Sequence, residues 1–339
     1  MTMSTDLSNK GNCIAKMESF GDISDTLSTI GAEMPKVAIL LCTYQGQRYL
    51  ADQLDSFTIQ SHTNWELWIS DDGSKDDTIS IIKLYQQKLR TGRLSLHSGP
   101  KKGFQANFLF LTCNASINAD YYCYSDQDDI WEEDKLARAV EWLESVPQNI
   151  PALYCARTRL VDNNNNHIGY SPLFLKPLSF ANALVQNVGG GNTMVFNNSA
   201  RALLRKAGES LPVVTHDWWA FLVVTGCGGK VFYDSKPTLR YRQHDDNLVG
   251  MNSTWMARFK RLRMLWEGRF SHWNDGNIAA LRQLHEKLTP ENREIFERFV
   301  KARQMKFVPR LMHLKRIGIY RQTLLGNFGL IFAAVFRKI

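Results

Sequence analysis

From Lys36 to Cys42 the chain reads Lys-Val-Ala-Ile-Leu-Leu-Cys, apolar over a strand's length with no polar alternation. Such a strand must be covered on both faces, as a central strand is in a parallel sheet flanked by helices. The arrangement then repeats. Tyr49 to Gln60 carries Leu50, Leu54 and Phe57 at helical spacing, Trp65 to Ser70 is a second strand, and a helix with Ile79, Ile82, Tyr85 and Leu89 runs to about Arg90. Leu94 to His97 is a third short strand, a helix begins at Gln105, and Tyr121 to Tyr124 makes a fourth strand. This alternation predicts an α/β fold with a mostly parallel, Rossmann-like, doubly wound sheet, whose ligands gather at the carboxyl ends of the strands. The pattern then loosens. Leu153 to Val161 reads as a strand, Asp162 to His167 as a turn, and Asn192 to Phe196, Lys230 to Tyr233 and Leu239 to Gln243 as further strands.

The polar chemistry sits at the predicted carboxyl edge. Asp126, Asp128 and Asp129 follow the fourth strand at once, and three carboxylates there repel one another unless something positive lies among them. A hard divalent cation suits the spacing, because Mg²⁺ takes one or two carboxylates and completes its shell with water and substrate phosphates. Glu132, Glu133 and Asp134 read instead as acidic residues favouring the start of a helix. Thr43 and Tyr44, leaving the first strand, can offer backbone hydrogen bonds and an aromatic face. Asp71-Asp-Gly-Ser74 is either a turn capping the next helix or a source of carboxylate for a ligand N–H. Lys101 or Lys102 is suited to a phosphate or to solvent. Asp217, in Thr215-His-Asp-Trp-Trp-Ala220, lies beside two indoles at the start of an apolar helix, as a base or as its cap. Gly189-Gly-Gly191 lacks the spacing of a dinucleotide fingerprint and would let backbone approach a ligand closely.

Taken in order, Thr43-Tyr44, Asp71-Asp-Gly-Ser74, Gly103 with Asn107, Asp126-Gln-Asp128, His216-Asp217 and Tyr241-Arg-Gln-His244 resemble the motifs of glycosyltransferase family 2, whose members have the GT-A fold. The resemblance covers about residues 35–250. Ser125-Asp-Gln-Asp-Asp-Ile-Trp131 and Tyr241-Arg-Gln-His-Asp-Asp-Asn247 look like the subgroup that builds bacterial surface polysaccharides, rhamnosyltransferases among them. What the resemblance implies is an inverting transferase using Mg²⁺ or Mn²⁺. The implied donor is dTDP-L-rhamnose, with a UDP-sugar as the alternative. The implied acceptor is a lipid-linked glycan of O-antigen or capsule synthesis, at the inner face of the cytoplasmic membrane. It assigns donor binding to Thr43, Tyr44, Asp71 or Asp72, Lys102, Asn107, Asp126, Gly190, Gly191 and Arg242. Asp128 and His244 become metal ligands, with Asp126 also suited to ribose or sugar hydroxyls and His244 to the diphosphate. Asp217 becomes the general base, and His216 departs from the Glu-Asp pair common at that point.

Charge separates the chain into parts. Net charge is +8 overall, yet from Met251 onward 18 Lys and Arg face only 6 Asp and Glu, which leaves the preceding body slightly acidic. Residues 1–34 read as a polar, flexible extension, 35–250 as the catalytic domain, and 251–339 as a basic helical appendage. The appendage has helices around Met256 to Trp266, over Asn274 to Leu288 and from Pro290 to about Val308. Leu311 to Ile339 mixes basic residues with Leu, Ile and Phe, a composition suited to an anionic membrane surface. Because the basic residues lie outside the acidic body, a nuclease with the same aspartates, and nucleic acid as a partner, are not expected. A non-catalytic binding module would need neither Asp128, Asp217 nor His244. No signal peptide is expected, and no apolar stretch reaches the roughly 18 residues that span a bilayer. Six cysteines without a Cys-x-x-Cys pair fit buried thiols in a reducing compartment.

Overall fold

The computed structural model describes residues 33–244 and 269–339. The polar extension before Glu33, the helix expected around Met256 to Trp266, and Asp245 to Asn247 of the later motif lie outside the described residues.

Strands β1 (Val37–Thr43), β2 (Trp65–Asp71), β3 (Leu94–Ser98) and β4 (Tyr121–Ser125) stand where the first four strands are expected, and all pair in parallel. Between them lie α1 (Leu50–Thr58), α2 (Thr78–Lys88) and α3 (Phe104–Cys113). Every residue of β1 is buried. Its alternate side chains divide between two cores: Ala38, Leu40 and Cys42 join Phe108 and Tyr124 on one face, and Val37, Ile39 and Leu41 join Leu54, Phe57 and Ile82 on the other.

Beyond β4 the chain places β5 (Ile130–Trp131), α4 (Lys135–Glu144), β6 (Ala152–Ala156), β7 (Arg159–Val161), β8 (His167–Tyr170), α5 (Phe180–Ala183), β9 (Val195–Asn197), α6 (Asn198–Ala207), α7 (His216–Gly226), β10 (Lys230–Asp234) and β11 (Leu239–Arg242). The main sheet has the order β10-β6-β9-β4-β1-β2-β3, and β5-β11-β7-β8 make a smaller second sheet. All main-sheet pairs are parallel except those of β9, which runs against both β4 and β6.

Two expected strands are corrected. Leu153 to Val161 is not one strand but β6 and β7, in different sheets. The chain changes sheets at Arg157 and Thr158, whose side-chain Nε and backbone N–H both donate to Ser171. The strand expected over Asn192 to Phe196 begins later, because Gly191–Thr193 forms a 3₁₀ turn in which the Thr193 hydroxyl donates to the Gly190 carbonyl.

The chain proceeds outward from β1 to β2 and β3, then returns to β1's other side as β4. The crevice where the order reverses is where ligands bind in open α/β sheets. Here it lies between Thr43-Tyr44 and Ser125-Asp126.

The C-terminal helices are α8 (Arg269–Gln283), α9 (Pro290–Gln304), α10 (Phe307–Arg316) and α11 (Leu324–Val335). Ile278, Leu281, Phe296, Phe299, Leu314 and Leu330 are buried in the same apolar cluster as Trp219 and Phe221 of α7. Among the described residues, no helix is long and apolar enough to cross a membrane.

Candidate active site

The loops at the carboxyl edge are locked to one another by side chains. The Asp71 carboxylate is saturated from within: one oxygen accepts the Gly73 and Ser74 N–H groups at 3.0 and 2.8 Å, the other the Thr43 and Ser74 hydroxyls at 2.8 and 2.6 Å. Asp72 accepts one bond on each oxygen, from the Lys101 N–H at 2.6 Å and the Gly103 N–H at 2.8 Å. A carboxylate has about four lone-pair positions, so Asp72 keeps acceptor capacity and Asp71 does not. Lys102 is exposed between the two amides Asp72 holds. Asn107 is buried, and Ser70 occupies both ends of its amide, the hydroxyl donating to it and the carbonyl accepting from it. It fastens α3 to β2 behind the crevice.

Tyr44 exposes its ring at the mouth, while its peptide is bracketed by Gln127. Gly46 leaves room for this amide, since a Cβ would sit 2.3 Å from the Gln127 Oε1 and displace it. Asp126 is raised to about 8 by burial and by the Asp128 and Asp217 carboxylates. Burial, Asp128 and Asp126 push Asp129 up as well, and Asn192 donates to it at 2.5 Å. The Asp128 carboxylate lies 2.9 Å from His244 Nε2, and the His244 ring packs 5.2 Å from that of Tyr49.

Arg242 departs from its expected use. Its guanidinium donates to the Asp128 and Asn163 carbonyls, pairs with Asp52 at 2.9 Å, and lies over the Tyr49 ring. It is buried, and these contacts make it a brace beneath the aspartate loop.

On the opposite wall, Thr215 is the N-cap of α7, its hydroxyl accepting the Trp218 N–H. Asp217 stands in the first turn, where one carboxylate oxygen shares that Trp218 N–H at 2.7 Å and the other accepts the Gly191 N–H at 3.1 Å. Gly190 is exposed beside it. Asn192, two residues on, reaches Asp129, so one short turn ties the Asp217 wall to the Asp126–Asp129 wall. His216 is buried, stacked on Phe108 with centroids 3.7 Å apart, and burial lowers it to about 4. Gly191 has no side chain because a Cβ would lie 2.3 Å from His216 Nε2.

Thr43, Tyr44, Asp72, Asp126, Asp128, His244, Gly190, Gly191 and Asp217 thus border one acidic crevice. Gln127 and Asn192 carried no sequence signal, being common amides whose partners are distant in the chain. Among the described residues, no group of three or more His, Cys, Asp or Glu is placed to hold a metal ion. The residues present still fit a Mg²⁺ or Mn²⁺ that draws much of its shell from a diphosphate. Asp128 and His244 are adjacent, and Asp126 is raised by burial and then by the neighbouring carboxylates, whose repulsion a cation would relieve.

The comparisons agree with this geometry. Residues 38–211 match the family described as Glycosyl transferase family 2. The dTDP-rhamnosyl transferase RfbG of Shigella flexneri is 29% identical over 238 residues, covering 66% of this chain and 78% of that protein. An uncharacterized glycosyltransferase of Rickettsia typhi is 24% identical over 257 residues, covering 69% of this chain and 71% of its own. Among solved structures, S. aureus TarS 1-349 in complex with UDP-GlcNAc superposes with a TM-score of 0.50 at 14% identity, covering 83% of this chain and 90% of that one. The chain belongs to glycosyltransferase family 2 and is a glycosyltransferase with the GT-A fold.

Proposed function

We propose that this protein transfers L-rhamnose from dTDP-L-rhamnose, with inversion, onto a lipid-linked glycan of bacterial surface polysaccharide at the inner face of the cytoplasmic membrane. The observation that carries the reading is that one short turn holds Asp217 through the Gly191 N–H at 3.1 Å and Asp129 through the Asn192 amide at 2.5 Å, which brings the two carboxylate groups to one crevice. Metal-side and base-side carboxylates then face the same reacting centre. The similarity to a dTDP-rhamnosyl transferase supports this donor.

In this reading Tyr44 offers its ring to the nucleobase and Asp72 accepts from a pyrimidine N–H. Lys102 approaches the diphosphate from the β3–α3 loop, and Asp126 holds ribose or sugar hydroxyls. Asp217 takes the proton of the acceptor hydroxyl, whose oxygen attacks the anomeric carbon. The bond from that carbon to the diphosphate oxygen breaks, and dTDP leaves with the electron pair. The Gly191 N–H keeps the Asp217 carboxylate aimed, while Gly190 leaves room for the acceptor. Asp128 and His244 would hold Mg²⁺ or Mn²⁺, which as a Lewis acid neutralises charge on the departing diphosphate.

The test incubates the protein with dTDP-L-rhamnose, and separately with UDP-sugars, with Mn²⁺, Mg²⁺ or chelator. Metal-dependent release of dTDP from dTDP-rhamnose is expected. Turnover of a UDP-sugar alone would reassign the donor, and undiminished turnover in chelator would remove the metal.

A further inference from the structure

The last helix of the chain is built inside out. On α11 the side chains turned toward the protein are Leu330, Ala333 and Ala334, two of them small. Leu324, Leu325, Phe328, Ile331 and Phe332 are exposed, Leu324 at 77% and Phe328 at 69%. Their spacing of i, i+1, i+4, i+7 and i+8 puts all five on one side of the helix. The neighbouring α10 adds exposed Phe307, Val308 and Met312. Isolated exposed apolar residues are ordinary, but bulky ones gathered on one side of a helix mark a surface that is normally covered.

The charge beside the patch says what covers it. From Arg298 to Ile339 there are ten Lys and Arg and no Asp or Glu. Lys306, Lys315, Arg316 and Arg337 are exposed on the same two helices and their ends. Bulky apolar groups bordered by unopposed cations match an anionic bilayer surface, where burial and charge act together. Neither α10 nor α11 crosses a membrane, so both would lie in its surface.

The face is rigidly joined to the catalytic edge. Buried Arg310 ties α10 to α11 by donating to the Ala334 carbonyl at 2.6 Å. Gln322, just before α11, donates its backbone N–H to Gln186 at 2.8 Å, accepts the Lys176 N–H at 3.0 Å, and reaches Asn182 at 3.2 Å. Gln186 is five residues from Gly191, and Leu175, beside Lys176, is 83% exposed.

We propose that α10, α11 and Leu175 form one docking face for anionic phospholipid, which sets the Gly189–Asp217 wall at a fixed height over the bilayer. The inference rests on the reading above in one respect: a lipid-linked acceptor gives that height its use. Gln322 is the positioning residue between docking face and catalytic wall.

The test floats the full chain with vesicles of phosphatidylglycerol and phosphatidylcholine, and with phosphatidylcholine alone, while following dTDP release from soluble donor. The parent should bind only the anionic vesicles. F328E/I331E, with both substitutions on outward side chains, should lose vesicle binding at least roughly tenfold and keep the parent's melting temperature. K315E/R316E should weaken binding by a similar factor, more at low than at moderate salt. Donor hydrolysis should be unchanged in both. Parent-like vesicle binding by F328E/I331E overturns the docking face. So does a parent that ignores vesicles and elutes as a dimer that F328E/I331E converts to monomer, which would assign the face to a second copy. If parent and variants alike fail to hydrolyse donor while vesicle binding is lost only in the variants, the docking face stands and the sugar-transfer reading falls.

Discussion

The side-chain amide of Gln127 closes on both polar atoms of the Tyr44 peptide, accepting its N–H at 2.9 Å and donating to its carbonyl at 2.9 Å. The two loops that form the walls of the β1/β4 crevice are thereby held as one unit. Gln127→Leu removes both bonds and leaves the fold's cores untouched. At about 1 kcal/mol for each bond, donor affinity should weaken roughly tenfold or more. Calorimetric titration with dTDP checks this, and parent-like affinity would mean that the loops are held by other contacts.

Asp217→Asn keeps the side chain's shape but cannot take up a proton. The carboxylate accepts the Trp218 N–H at 2.7 Å on one oxygen and the Gly191 N–H at 3.1 Å on the other, so the amide keeps only one of these bonds, while Thr215 remains as the N-cap of α7. Turnover should fall by roughly 10²–10⁴, the usual worth of a general base, with donor affinity and melting temperature little altered. Initial rates with saturating donor, beside a thermal melt, decide it; near-parent turnover would remove Asp217 from the chemistry.

Asp128→Ala should abolish transfer and also erase the difference in dTDP affinity measured with and without Mn²⁺. The second readout matters because it needs no turnover. A persisting Mn²⁺ effect on nucleotide binding would put the cation elsewhere.

His216 carries a stability prediction whose sign follows from burial. Its pKa in the fold is about 4, against an ordinary 6.5, so between these values the unfolded chain takes a proton that the folded one refuses. The stability of the neutral ring is complete above 6.5 and is lost as pH falls toward 4. His216→Leu cannot titrate. Going from about pH 7.5 to about pH 5, the unfolding free energy of the variant relative to the parent should rise by about 2 kcal/mol. Denaturant melts at both pH values measure this, and a constant difference would show that the ring is protonated as readily in the fold as out of it.

Strand β1 was legible because it is an unbroken apolar run, and β2 to β4 because short strand-like segments alternate there with helical patterns. The edge that carries chemistry was legible for the same reason, since polar loops there alternate strictly with buried strands. What could not be read is what depends on partners far along the chain. Nothing near Arg157 announces that Ser171 will turn the strand into a second sheet. Arg242 sits in a motif that suggests substrate, yet its guanidinium pairs with Asp52, 190 residues away. Asp71 and Asp72 were equivalent on paper; only the count of amides and hydroxyls reaching each oxygen separates them. The outward face of α11 was half legible: its composition was plain, but which side packs inward was not.

Strand β9 runs against its neighbours and, among the described residues, lies between β4 and β6 and joins them. A parallel strand would deliver its far end to the catalytic edge; this reversed strand delivers its beginning, the turn bearing Gly191 and Asn192. The base-side wall is therefore anchored in the piece that closes the sheet. One strand both closes the sheet and carries the two groups, the Gly191 N–H and the Asn192 amide, that hold Asp217 and Asp129.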